Sequence, residues 1–383
     1  MTGTGRPLGA AVADDSLESS IWELGAMKNL AVSGAERLIQ NLRRRRAARA
    51  RRPPLIRFDS TVDDGPGRIL YLSPDPAQPR GGVRVFYRHV DLLNESGAHA
   101  AVVHCKSGYR AGWFENDTRV IAGPDLVATR RDILVVPEFF GAAIPTYPSD
   151  GPRVVLFDQG PYYTFDGMSL DDARRLTPDR LAAILTVSDD AMEVLEYAFP
   201  GIPVAAARSV IDPALFFPGD RAPGLQIAYA TNRREQECRQ LLSLLALRGY
   251  ANWSFVPIRG MSESEVARTL RESAIFLSFN DRDGFGLPPA EAMASGCFVI
   301  GYHGQGAREF FDPSYCQPID NGDLLGFARA VESAMTSYEQ DPAPVRRRGL
   351  TAATTIHARY TSSGLRCDLI GFYETLGAGP SKT

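Results

Sequence analysis

Asp283 and Glu291 stand eight positions apart in NDRDGFGLPPAEAMASG (280–296), with Gly284 and Gly286 between them. A carboxylate accepts hydrogen bonds from two neighbouring hydroxyls at once, so two carboxylates flanking a loop suit a polyol. The glycines free the loop backbone for a tight turn. Pro288 and Pro289 fall where a helix would begin, at positions whose N–H has no intrahelical partner. The amides of Phe285, Gly286 and Leu287 would then lie at the positive end of that helix and could receive phosphate or sugar oxygens. Hydroxyls beside a phosphate describe a nucleotide sugar.

The flanking sequence supplies the elements that must hold this loop. AIFLSF (274–279) is an apolar run rich in aromatic and branched residues, as in a parallel strand covered on both faces. AEAMAS continues the helix, Gly296 is placed to end it, and CFVIG (297–301) resumes a strand. An ordinary strand–turn–helix with Glu291 complementing the helix dipole is the competing reading.

The segment D-G-F-G-L-P-P-A-E-A-M-A-S-G, Asp283 to Gly296, resembles the E-x7-E signature of the retaining GT-B glycosyltransferases of the group 1, or family four, type. That signature usually reads E-G-F-G-L-P-x-x-E-A-M-A-x-G, so Asp283 stands where the family has Glu. The resemblance implies an α/β protein of GT-B fold, two facing Rossmann-like domains with a deep cleft between them. It implies transfer of a sugar from a nucleoside-diphosphate donor to an acceptor hydroxyl with retention at the anomeric carbon. The expected setting is glycan, glycolipid, polysaccharide or glycosylated-metabolite biosynthesis, with no cofactor besides the donor. Glu291 would accept from the ribose hydroxyls, Asp283 would contact the donor sugar, and the loop amides would cradle sugar and diphosphate.

Other stretches resemble the same family. RILYLSPD (68–75), the doublet Gly81-Gly82, an amphipathic helix and L-N-E-S-G-A-H (93–99) look like its opening, with Gly82 admitting close approach of donor or acceptor. SVIDPALFFP (209–218) resembles the family's turn at the domain junction, with Asp212, Phe216 and Pro218 in place. Arg233 and Arg234 follow the strand LQIAYATN (225–232), where the family places an Arg and a Lys on the diphosphate. An arginine fork can bind phosphate oxygens bidentately. Gly304, Gly306 and Glu309 would line the donor from the next loop. The family often places a histidine of the first domain near the donor sugar, but none occurs between His104 and His303. Gln159 or Tyr162 could take that role. With Glu138 they are also the acceptor-side candidates, all in loops after DILVVPE (132–138) and RVVLFDQG (153–160).

The alternation of strands and helices predicts doubly wound sheets. The expected organisation is an N-terminal extension (1–66), an acceptor domain (67–215), a donor domain (225–355), and a C-terminal helix crossing back to the first domain plus tail (356–383). Within the donor domain, Ser262 with Glu265 spells a capping box, and Asp323 is a helix cap.

Composition narrows the classes. The chain has 383 residues, 44% of them hydrophobic, enough for two domains. No apolar run approaches the roughly 18–20 residues of a membrane span, and the first residues lack a secretory pattern. The five cysteines (Cys105, Cys238, Cys297, Cys316, Cys367) are scattered, which argues for a reducing compartment and against a disulfide framework or zinc site. No metal is expected. Asp281-Arg282-Asp283 spells D-x-D but overlaps the glycine loop, so the arginines and helix N-termini would neutralise the diphosphate. No G-x-G-x-x-G follows a strand with an acid placed for ribose, which argues against an NAD oxidoreductase.

Net charge is −3, but RRRRAARARR (43–52) holds seven arginines, so the rest of the chain is acidic. Residues 16–50 read as two helical pieces or a kinked helix. Three readings of the basic run stay open: an amphipathic segment on anionic lipid, a nucleic-acid contact, or a solvated extension. Nucleic acid is not expected, because no aromatic residues are interleaved to stack bases. The expected location is cytoplasmic, with the basic run as the candidate contact to the inner membrane face, and the oligomeric state is left open. Two rivals to the transferase remain, a non-catalytic scaffold of transferase ancestry and another GT-B enzyme such as a nucleotide-sugar epimerase or a phosphorylase.

Overall fold

Two parallel sheets organise the chain. In the computed structural model, residues 52–61, 65–231, 234–249 and 252–378 are described. The helical reading of 16–50, nearly all of the arginine run and Arg233 lie outside them.

The first sheet has seven parallel strands in the order β4-β3-β2-β6-β7-β8-β9. These are β2 (Ile69–Leu72), β3 (Ala100–His104), β4 (Val120–Ala122), β6 (Ile133–Pro137), β7 (Arg153–Asp158), β8 (Ala183–Thr186) and β9 (Val204–Ala206). A small parallel pair, β1 (Arg57–Phe58) with β5 (Val127–Ala128), adjoins this part of the chain. β1 lies upstream of Gly67, where the sequence alone starts the lobe: Arg57 and Asp59 donate backbone N–H bonds to Leu126 and Ala128. The second sheet has five parallel strands, β11-β10-β12-β13-β14. They are β10 (Gly224–Ala230), β11 (Ser254–Pro257), β12 (Ser273–Phe279), β13 (Phe298–Tyr302) and β14 (Gln317–Pro318).

Central strands β2, β3, β6, β12 and β13 are buried along their whole length, which is why they read as unbroken apolar runs. In each sheet the order reverses at one place, between β2 and β6 and between β10 and β12. The crevice beyond the carboxyl ends of strands at such a switch point is where open α/β sheets bind ligands. Gly81-Gly82 and Glu138 follow β2 and β6; Arg234 and the 280–286 loop follow β10 and β12.

The helices that matter to the site are α1 (Gly81–Glu95), α2 (Asp189–Ala198), α3 (Glu235–Leu247), α4 (Glu263–Arg271) and α5 (Leu287–Ala294). α6 (Leu324–Gln340), α7 (Pro342–Arg359) and α8 (Ser362–Thr375) follow. Ser262 and Glu265 form the expected capping box, and Asp323 accepts from the Gly326 N–H. α8 returns to the first lobe: the Tyr373 hydroxyl donates to that of Tyr71 on β2 at 2.8 Å, and Arg366 pairs with Glu95 of α1. One apolar cluster runs unbroken from lobe to lobe through Val187, Phe285, Phe310 and Tyr360.

Candidate active site at the lobe interface

The glycine loop begins where β12 ends. Gly286 has φ +91° and is the N-cap of α5, a left-handed conformation that favours glycine, and Pro288 and Pro289 occupy the first turn as expected. Pro288 and Pro289 carry no N–H and the Ala290 N–H donates to the Gly286 carbonyl, so in that first turn only the Leu287 N–H lacks an intrahelical partner, and by helix geometry it points out of the N-terminus beside the N–H of Gly286. The Phe285 side chain faces the other way, buried edge-on against Tyr360 at 4.9 Å between ring centroids and tilted against Phe310 at 5.3 Å. Only its backbone is placed to meet a ligand, while the buried ring pins the loop with about 2–3 kcal/mol of apolar burial.

The 303–306 loop packs onto this one. The Gly306 N–H donates to the Asp283 carbonyl at 3.0 Å, and Asp283 and Gln305 form a parallel bridge. Gly304 lies against Asn280 and Gly306 against Asp283 and Gly284, so their hydrogen-only side chains permit loop-on-loop contact. Gln305 holds φ +74°, rare for a residue with a side chain.

Glu291 stands one turn into α5 and is 7% exposed. Burial pushes its carboxyl up from the ordinary value, and Arg84 opposes that shift. Arg84, in the first turn of α1, places Nη2 2.6 Å from Glu291 Oε1 and pairs through Nη1 with Glu263 at the start of α4. Arg234, at the N-cap of α3, pairs with Glu237 and Asp281 at 2.9 Å each, and its guanidinium lies 4.6 Å from the Tyr302 ring centroid. It is thus held at the switch point, beside the loop that carries Asp283.

The opposite wall comes from the first lobe. Gly81 faces Leu287 so closely that a Cβ there would lie 3.1 Å from its Cδ1. The Gln159 amide donates to the Gly82 carbonyl at 3.2 Å, and its own backbone presses on Gly284, where a Cβ would sit 2.7 Å from the Gln159 carbonyl carbon. Gln159 therefore touches both glycine loops. Glu138 accepts from the Gln159 N–H at 3.4 Å. The Ser188 hydroxyl donates to the Gly284 carbonyl at 2.5 Å, and the Tyr163 hydroxyl to the Asp281 carbonyl at 3.2 Å. The cleft is thus closed at the glycine loop.

Two expected site residues take other positions. Glu309 was expected to face the donor, but Tyr360 and the Asp189 N–H donate to its two carboxylate oxygens at 2.7 and 3.1 Å. It joins the amino end of α2 to the second lobe. Tyr162 donates to Asp190 at 3.1 Å, and Asp190 pairs with Arg308 at 2.5 Å, so Tyr162 belongs to the same cross-lobe seam. Tyr163, Ser188 and Asp189 lie in strand-end loops that the sequence marks as polar candidates, whereas Arg84, Asp190 and Arg308 were not singled out from sequence. Arg84 alone left a signal, a charge set within the apolar stretch VRVF of α1.

Among the described residues no helix is long and apolar enough to cross a membrane. No family model matches the chain. A curated relative, an α-1,6-glucosyltransferase of Actinobacillus pleuropneumoniae, is 30% identical over 273 residues, 67% of this chain and 80% of that protein. Among solved structures, sucrose-phosphate synthase of Thermosynechococcus elongatus aligns with a TM-score of 0.61 and 14% identity, over 82% of this chain and 100% of that one. Anabaena HepE in complex with UDP-glucose aligns at 0.59 and 11%, over 81% and 99%. With two switch points facing each other across a glycine loop, and a relative this similar over most of its length, the chain belongs to the GT-B glycosyltransferases.

Proposed function

We propose that the protein transfers a sugar from a nucleoside-diphosphate sugar to an acceptor hydroxyl with retention of anomeric configuration, and that UDP-glucose is the first donor to test. The carrying observation is the loop Asp283–Leu287 at the amino end of α5, with buried Glu291 one turn in and Gly81-Gly82 facing it. The named activity of the Actinobacillus relative and the UDP-glucose bound to HepE favour glucose and uridine.

In this reading Glu291 accepts from the ribose diol, and the amides at the start of α5 receive the diphosphate. Asp283 accepts from hydroxyls of the sugar. Arg233, Arg234 and the amino end of α5 stabilise charge as the diphosphate leaves, the step at which fixed positive groups help most. Neither metal nor covalent nucleophile is invoked; retention would follow from attack on the face the leaving phosphate occupies, as the family resemblance implies. The acceptor would enter beside Gln159 and Glu138. Because Gln159 lies against Gly284, the lobes must part for the donor and close again on it, expelling water from the reacting centre.

The test is release of UDP from UDP-glucose that depends on an added hydroxyl acceptor, with product configuration read by NMR. Glu291→Gln should weaken UDP binding about tenfold or more, the loss of a charge-assisted hydrogen bond. Unchanged affinity in that variant would remove Glu291 from the ribose. Nucleotide binding with no turnover on a broad acceptor panel would favour the scaffold reading.

A further inference from the structure

Arg84 is the one residue among those described that joins the first lobe to the carboxylate assigned to the ribose. Its guanidinium spans Glu291 on α5 and Glu263 on α4, both in the second lobe. The pairs are poorly hydrated: side-chain exposures are 19% for Arg84, 24% for Glu263 and 9% for Glu291. Beside them the lobes leave a cavity of about 20 Å³, also lined by Asp212 and Leu287. That is room for about one water, far less than a nucleoside needs.

The chemistry of Glu291 explains why an arginine lies there. A carboxylate this buried is costly without a counter-charge or hydrogen-bond donors. A ribose supplies two hydroxyl donors. Until it arrives, Arg84 supplies one N–H donor and the charge. The two partners compete for the same acceptor, and Arg84 comes from the wall that must move aside for the donor.

We propose that Arg84 occupies the ribose position on Glu291 in the empty enzyme, and that donor binding exchanges Arg84 for the ribose diol. Glu263 keeps hold of the released guanidinium, so the exchange uncovers Glu291 without stranding a buried cation. Arg84 is a positioning residue in this scheme: it keeps the carboxylate ionised and the lobes closed when no donor is bound, and nucleotide binding works against it. The inference rests on Glu291 as the ribose carboxylate.

Calorimetric titration with UDP at pH 8 tests it on the full chain, comparing wild type, Arg84→Gln, Arg84→Lys and Glu291→Gln. Removing a competitor should tighten UDP binding, by roughly tenfold for Arg84→Gln if one charge-assisted hydrogen bond is relieved. Arg84→Lys keeps the charge but cannot bridge two carboxylates as a planar fork does, so it should fall between wild type and Gln. A merely structural arginine would leave affinity unchanged or lower it when removed, and either result overturns the proposal. Should Arg84→Gln fail to fold, Arg84→Lys decides by the same sign. If UDP binds wild type and Glu291→Gln equally, or neither, the ribose assignment fails and takes this inference with it. If only the Arg84 variants miss expectation, the assignment stands alone.

Discussion

The two walls of the cleft are built by different means. The wall in the second lobe is, apart from Arg234 after β10, one continuous segment, Ser273 to Phe310, in which strand, glycine loop, helix, strand and second loop follow in order. Its loops pack on each other through Gly284, Gly304 and Gly306, and its anchor is the buried ring of Phe285. The wall in the first lobe is gathered from Gly81-Gly82, Arg84, Gln159, Tyr163 and Ser188, ends of four separate elements. Arg84, Gln159, Tyr163 and Ser188 each reach across to the other lobe by one side chain or carbonyl, and Gly81 lets Leu287 approach. A wall made of one segment keeps its shape when the lobes part. A wall made of single reaches is coherent only when they meet, so the first-lobe wall should be the part of the site that depends on closure.

Matched glycine substitutions test that asymmetry most severely. In Gly284→Ala the new Cβ would meet the backbone carbonyl of Gln159 and, at 3.2 Å, Val187 Cγ2. Backbone cannot swing away, so the lobes must stay apart. A misplacement on the order of 1 Å corresponds to about a hundredfold loss of kcat/KM. In Gly82→Ala the Cβ would meet only the side-chain amide of Gln159, at 3.2 and 3.3 Å. That amide can rotate, and the loss should stay within about threefold, a change of some 0.5 kcal/mol. Steady-state kinetics on the two variants, with melting temperatures as a folding control, gives the ratio. Equal losses would mean that closure at Gly284 does not control activity.

The buried acids of the two walls differ as well. Glu291 has Arg84 as a counter-charge. Asp158, at the end of β7 beneath Gln159, is fully buried and held by the Gly160 N–H at 2.9 Å and the Thr164 hydroxyl. Burial pushes its carboxyl up to about 6 from the ordinary 3.8, against those hydrogen bonds. Below about pH 4 folded and unfolded chains both hold the proton, and above about 6 both have lost it. Between the two the folded chain binds it more tightly, so stability falls as pH rises through this window, by about 3 kcal/mol in all. Asp158→Asn cannot titrate. Denaturant unfolding at pH 4, 5, 6 and 7 should show wild type losing stability relative to Asp158→Asn up to pH 6 and holding constant above. A difference independent of pH would show that burial leaves the Asp158 carboxyl titrating as it does in the unfolded chain.

The same contrast governs what could be read from sequence. The second-lobe wall was legible because its geometry is local: a positive φ calls for Gly286, a first helical turn tolerates Pro288, and a helix end takes Gly296. The sheets were legible where strands are buried on both faces. β4 and β9, half-buried along their length, lack the unbroken apolar run and gave no signal. α7 was missed because its buried face is small, Gly349, Ala352 and Ala353 among it, suiting a close approach in which a Gly349 Cβ would lie 2.9 Å from the Gly296 carbonyl carbon. The first-lobe wall was illegible for a deeper reason. Arg84 and Glu291 are 207 positions apart, and nothing in either local pattern names the other. Glu309 matched a motif position, yet its partners Asp189 and Tyr360 were set by the closing of the lobes.

The smallest expected effect concerns strain within the stiffer wall. Gln305 holds φ +74° and ψ −72°, fixed by its bridge to Asp283 and by its own N–H donating to His303 Nδ1 at 3.0 Å. A residue with a Cβ pays about 1–3 kcal/mol for such a conformation. Glycine would relieve that strain while gaining about 0.5–1 kcal/mol of unfolded-state freedom, so Gln305→Gly should be stabilising by roughly 1 kcal/mol. For a chain of this size that is a rise of a few degrees in Tm at most, measurable by calorimetry. A fall in Tm would mean that the Gln305 side chain makes contacts worth more than its strain. The second-lobe wall would then depend on that side chain as well as on the local backbone geometry that makes it self-supporting.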